Sequence, residues 1–62
     1  MAFSILGMSK REVLAKAREK GDIKTVNYFE NHKGVPQLIS IYFQDGTWIQ
    51  GFFDRRTRRI KY

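Results

Sequence analysis

Arg55, Arg56, Arg58, Arg59 and Lys61 put five cations into seven positions, shortly after Trp48 and Phe52. Guanidinium and ammonium groups neutralise phosphates, and aromatic rings accept the flat faces of bases, so the combination suits a single-stranded nucleic acid. The same residues have plainer uses. A charged edge blocks sheet-to-sheet aggregation, and Trp48 and Phe52 are equally good material for a dimer core. Catalytic chemistry has less to work with. His32, the one histidine, falls in a predicted turn, where an imidazole is ordinarily solvated. The six carboxylates are scattered: Glu12 at a helix cap, Asp45 and Asp54 in turns, and Glu19, Asp22 and Glu30 at surface positions. No pair has a reason to split its pKa values, and there is no Ser-His-Asp set, phosphate loop or dinucleotide fingerprint. Clustered metal ligands are also missing. The residue inventory therefore predicts a protein that is not an enzyme and uses no cofactor or metal.

Twelve Lys and Arg against six Asp and Glu give a formal charge of +6 on 62 residues. Charge so far from zero in so small a chain favours polyanionic partners, because each neutralised phosphate releases condensed counterions. Nucleic acid is the default, and ribosomal RNA, DNA, an acidic protein or a membrane surface would each satisfy the charge alone. No stretch approaches the roughly 20 apolar residues of a transmembrane helix. Met1 to Met8 is too short and lacks the basic start of a signal peptide, so no membrane partner is expected. The chain is near the lower size at which one core sustains a fold, and without cysteine it has no disulfide or thiolate site to supplement that core. Those facts predict a homo-oligomer in a reducing, cytoplasmic setting.

The elements that must position these groups centre on Gln37 to Asp54, QLISIYFQDGTWIQGFFD. Two runs rich in β-branched and aromatic residues, Leu38 to Phe43 and Thr47 to Phe53, flank Asp45-Gly46, a dipeptide suited to a two-residue type I′ turn. That turn pairs Phe43 with Trp48, Tyr42 with Ile49, Ile41 with Gln50 and Ile39 with Phe52. One face then gathers Ile39, Ile41, Phe43, Trp48, Gln50 and Phe52, and the other Leu38, Ser40, Tyr42, Ile49, Gly51 and Phe53. Both are apolar. One helix covers only one face of a small sheet, so the second needs a subunit, a partner or bases.

Ser9-Lys10-Arg11-Glu12 reads as a capping box, and the helix it opens runs to about Lys20, where Gly21 can end it. Its apolar stripe, Val13, Leu14 and Ala17, is narrow, so the helix must dock on the sheet. Lys10, Arg11, Lys16, Arg18 and Lys20 serve chiefly to keep it soluble. Ile23 to Glu30 alternates like a strand and turns through Asn31 to Gly34. Pairing Glu30 with Val35 sets Val26 against Ile39 and Tyr28 against Gln37, adding Val26 and Tyr28 to the Trp48 face and Ile23 and Phe29 to the Tyr42 face. After the polar break Asp54 to Thr57, a short last strand from Arg58 carries Ile60 and Tyr62 on the Tyr42 face and Arg59 and Lys61 on the other. Met1 to Gly7 is an edge strand, a tail, or sequence upstream of a start at Met8.

The predicted architecture is α+β: an N-terminal tail or edge segment over residues 1–8, then one domain over 9–62. That domain is a helix followed by a bent antiparallel meander of about four strands, as in small barrels. Tyr42, Ile49, Phe53 and Ile60 are assigned beneath the helix together with Leu38, Ile23 and Tyr62, leaving Tyr28, Phe43, Trp48 and Phe52 exposed beside Arg59 and Lys61. The reverse assignment satisfies the alternation too, and a one-residue slip exchanges a strand's faces.

Ile39 to Asp54, ISIYFQDGTWIQGFFD, resembles the first Sm motif of Hfq and other Sm-like RNA-binding proteins: a strand ending in Ser-Ile-Tyr, a turn with glycine, and a strand containing Ile-Gln-Gly, led in by Val35-Pro36. The resemblance implies a short helix followed by an Sm-like, strongly bent sheet, assembly into rings through edge strands, and binding of single-stranded RNA. The residues matching the face that receives adenine-rich RNA are Tyr42, Gly46, Thr47, Trp48, Ile49 and Gln50. On that likeness Tyr42 stacks on a base and Gln50 reads a base edge, which conflicts with burying Tyr42 beneath the helix.

Together these features predict a small basic nucleic-acid-binding protein, for RNA or single strands rather than sequence-read duplex, since no recognition helix carries Asn, Gln and Arg on one face. Arg55, Arg56, Arg58, Arg59 and Lys61 would engage phosphates, while Trp48, Phe52, Tyr42 and Gln50 meet bases. The alternative is a protein-interaction module: a dimer, or a small phage-type or mobile-element inhibitor or regulator of a host factor. It would dock through the apolar face that carries Ile39, Ile41 and Phe43.

Overall fold

The computed structural model describes residues 4–62. Met1 to Phe3, the start of the predicted tail or edge segment, lie outside them. Helix α1 spans Lys10–Lys20, and strands β1, β2 and β3 span Ile23–Glu30, Pro36–Phe43 and Trp48–Phe52. The strands form one antiparallel sheet in the order β1-β2-β3. The protein is therefore α+β with a three-stranded open sheet, against about four strands predicted from the sequence. The C-terminal segment contributes isolated bridges instead, Phe53 to Ile60 and Ser9 to Arg59. It still lies along β3, with the Phe52 N–H donating to the Tyr62 carbonyl and the Lys61 N–H to the Phe52 carbonyl. The chain before α1 lies along it in turn, with the Gly7 N–H on the Ile60 carbonyl and the Ile60 N–H on the Met8 carbonyl. Among the described residues no helix is long and apolar enough to cross a membrane.

The capping box forms as its sequence requires. The Ser9 hydroxyl accepts from the Glu12 N–H, and the Glu12 carboxylate accepts from the Ser9 N–H. Val13 and Ala17 are fully buried, and a lysine closes each end of the helix: the Lys10 ammonium lies 4.0 Å from the centre of the Tyr28 ring and that of Lys20 lies 4.5 Å from the Phe43 ring. Such lysines lay their methylene stems on apolar surface and keep the charge wet.

Both hairpins turn through the same three-residue loop. The Asn31 N–H donates to the Val35 carbonyl and the Gly34 N–H to the Asn31 carbonyl; likewise the Phe43 N–H donates to the Thr47 carbonyl and the Gly46 N–H to the Phe43 carbonyl. Gly34 and Gly46 sit at φ of +80° and +90°, the left-handed position that completes a type I turn with a bulge. The two-residue turn predicted for Asp45-Gly46 is thus replaced by a loop of Gln44, Asp45 and Gly46. The Asp45 carboxylate holds it by accepting from the Thr47 N–H at 2.9 Å and from the Thr47 hydroxyl at 2.6 Å.

That extra loop residue slides β3 by one position. Tyr42 faces Trp48, Ile41 faces Ile49, Ser40 faces Gln50, Ile39 faces Gly51 and Leu38 faces Phe52. The predicted pairs of Phe43 with Trp48 and Tyr42 with Ile49 do not form, and Trp48, Gln50 and Phe52 move to the Tyr42 side. On the other flank Val26 faces Ile41, Tyr28 faces Ile39 and Phe29 faces Leu38. This is two residues from the predicted alignment, so those three keep their predicted company. An irregularity between Ile23 and Thr25 turns Ile23 toward the helix side, opposite Phe43.

The slip sorts the sheet into one apolar side and one mixed side. Ile39, Ile41 and Phe43 are only 0–3% exposed, in a core completed by Ile5, Val13, Ala17, Phe53 and Ile60. These three strand residues, predicted to dock a partner, are therefore core and unavailable to one. Tyr28 and Phe43, predicted on the free face, lie on the core side, whereas Tyr42 and Leu38 lie on the other. Gly51 permits the closest approach: a β carbon there would lie 2.7 Å from Ile60 Cδ1 and 2.9 Å from Ile5 Cδ1. Bare backbone at that point lets both terminal segments press their isoleucines onto the sheet.

Three carboxylates are held below the ordinary carboxylate range: Glu12 by the Ser9 N–H and hydroxyl and then by Arg59, Asp45 by the Thr47 hydroxyl and N–H, and Asp54 by the Arg56 N–H. Each has a lower pKa folded than unfolded, so its contribution is complete above the unfolded value and is lost as pH falls through the folded one. The melting temperature is expected to drop below about pH 4, and Glu12→Gln to make that drop shallower. A melting temperature unchanged between about pH 6 and pH 3 would contradict this assignment.

Candidate nucleic-acid interface

The side of the sheet away from α1 carries three cross-strand rows: Thr25, Tyr42 and Trp48; Asn27, Ser40 and Gln50; and Phe29, Leu38 and Phe52. The polar row separates two aromatic pairs. Tyr42 and Trp48 lie with ring centres 6.4 Å apart and planes inclined by 34°, and Phe52 lies 5.3 Å from Tyr62 at 35°. Tyr42, Phe52, Phe29, Trp48 and Tyr62 are between 39% and 66% exposed, so each leaves part of its ring accessible to a ligand. Four residue steps along β3 take the chain from Trp48 to Phe52, about 13 Å at ~3.3 Å per step. Trp48, Gln50, Phe52 and Tyr62 also share a groove beside that strand.

Cations stand at both ends of this face. Phe52 and Tyr62 line a cleft of about 600 Å³ together with Arg55, Arg56, Lys61 and Asp54, and the Lys61 ammonium lies 5.3 Å from the Tyr62 ring centre. At the far end Lys24 lines a shallow groove with Thr25, Tyr42, Gly46 and Thr47. Asp54 is the one carboxylate in the basic cleft, and its Oδ1 accepts the Arg56 N–H at 2.7 Å.

Arg58 and Arg59, predicted to stand with this group, do not. The Arg59 guanidinium donates to the Glu12 carboxylate at 2.8 Å and to the Gly7 carbonyl at 2.9 Å, tying the C-terminal segment to the start of α1. Both partners of that ion pair are half exposed, so it adds little stability. Arg58 faces another cleft beside α1. The cause is the turn between them: the Arg58 N–H donates to the Asp54 carbonyl at 2.7 Å, a single helical turn that points successive side chains in different directions. Cations adjacent in sequence are thereby split among three surroundings.

Two contributors were missed from sequence. Lys24 sits at the irregularity in β1, for which composition carries no signal. Alternation assigns Tyr62 to the Tyr42 face beneath the helix and Phe52 to the opposite one; the two rings meet because the slip of β3 brings Phe52 to the Tyr42 side. Among the described residues no group of three or more His, Asp or Glu is arranged to hold a metal ion. Compared with known proteins, the chain matches no family model, no curated protein and no solved structure.

Proposed function

We propose that the protein binds single-stranded nucleic acid, RNA in preference to DNA, on the open face of its sheet. One observation carries this: stacked, exposed aromatics share a single face with cations at both of its ends, Tyr42 and Trp48 near Lys24, and Phe52 and Tyr62 beside Arg55, Arg56 and Lys61. Bases stack on the rings, each contact contributing about 1–3 kcal/mol, while the cations follow the backbone. Gln50 and Asn27, between the two aromatic pairs, offer amide donors and acceptors to base edges. The preference for RNA leans on the likeness of Ile39 to Asp54 to the first Sm motif, in which the positions of Tyr42 and Gln50 contact bases.

Phosphate contacts from Arg55, Arg56 and Lys61 predict an affinity for an oligouridylate of about 4 nucleotides that falls with salt at a logarithmic slope of about −2, near −0.7 for each contact. Between about 50 and 200 mM salt that is roughly a 20-fold loss. Titration by anisotropy measures it, and a slope near zero would contradict the phosphate assignment. The apolar row of Phe29, Leu38 and Phe52 favours a second reading, in which the same face associates with another copy of the chain or with a host protein. Association that survives high salt in nucleic-acid-free protein would support it, because apolar contacts persist where phosphate contacts are screened.

A further inference from the structure

Arg58 is the one non-glycine residue at positive φ among the described residues, at +59°. Left-handed backbone costs an L-residue energy that glycine would not incur, and such positions concentrate where the surroundings need a particular side chain. The side chain held there lines a cleft of about 550 Å³ with Lys10, Arg11 and Arg18 of helix α1 and with Leu14 and Tyr28. No carboxylate lines that cleft. Among the described residues none of its four cations is in an ion pair, so they repel one another until an anion joins them. Pro36 lines both this cleft and the aromatic one, which places the two side by side at the start of β2.

The geometry points to a second phosphate-binding site, formed by Arg58, Arg11 and Arg18, on the path of the same strand. This rests on the single-strand reading above and gives the bound strand a course: from the rings of Phe52 and Tyr62, past Pro36, to the basic side of α1. Guanidinium forks match phosphate oxygens two at a time, which suits the three arginines to the task better than a scatter of solubilising charge.

Arg58→Gly separates this role from a structural one, because glycine adopts the left-handed turn without strain. The variant is expected to melt no lower than the natural protein. It should bind an oligouridylate of about 12 nucleotides about fivefold more weakly at about 0.1 M salt, with a salt slope shallower by about 0.7. An oligomer of about 4 nucleotides, the short end of what one small β domain covers, seats on the aromatic cleft alone and should bind unchanged. Arg11→Ala combined with Arg18→Ala, both on the exposed face of α1, should weaken only the longer oligomer, about 25-fold, with a slope shallower by about 1.4. Salt-dependent binding by the natural protein that these variants leave intact at both lengths would overturn this second site alone. No binding of either oligomer by the natural protein would overturn the single-strand reading and this site with it.

Discussion

Ile41→Ala is expected to leave a protein that is largely unfolded at physiological temperature. Ile41 is fully buried, between Val26 and Ile49 in the sheet and in the same core as Val13 and Ala17. Truncating a buried isoleucine costs about 2–5 kcal/mol, since the removed methylenes lose their burial and the cavity closes only in part. A chain of this size has roughly 3–9 kcal/mol in total at ~0.05–0.15 kcal/mol per residue, and no cysteine supplies a cross-link. Tyr42→Ala, one position along β2, removes a half-exposed ring from the opposite side and should cost far less. Thermal melts followed by circular dichroism decide between them. A Tyr42 variant less stable than the Ile41 variant would mean that the two faces of the sheet have been exchanged.

Trp48→Ala is expected to weaken binding of single-stranded RNA by about 1–3 kcal/mol, between roughly fivefold and 150-fold, while the melting temperature changes little. The indole is 57% exposed, so little buried area is lost with it, and Tyr42 remains beside the vacated place. Phe52→Ala should act similarly through the other aromatic pair. With the two sites about 13 Å apart along β3, the double variant should lose nearly the sum of the two effects. An affinity unchanged in both single variants would remove the aromatic face from recognition. Loss of binding accompanied by a lowered melting temperature would assign these rings to the fold.

The local elements were legible because their signals are local. The capping box, the glycine after Lys20 and the alternation of β1, β2 and β3 each act within a few residues, and α1 and the three strands lie where those signals put them. Register was not legible, because Asp-Gly suits a loop of two residues or three and the choice is made by the Asp45 bonds to Thr47. One residue there exchanged Tyr42 for Ile41 as core partner of β3 and moved Trp48 and Phe52 beside Tyr42. This also removes the conflict between stacking and burying Tyr42, because Tyr42 is exposed. Proximity in sequence misled for the cations, since the turn from Asp54 to Arg58 sends Arg58 and Arg59 away from Lys61. The same turn brings Arg58 to Arg11 and Arg18, at least 40 positions earlier in the chain, a neighbourhood no spacing rule anticipates.

The most direct measurement is a fluorescence titration of Trp48 with single-stranded RNA, single-stranded DNA and duplex DNA at low and moderate salt, since the single tryptophan stands on the open face. Binding there predicts quenching by single strands, strongest with RNA, that weakens as salt rises. No change in the emission with any of the three, from a protein that is folded, would contradict nucleic-acid binding on this face and turn the search to a protein partner.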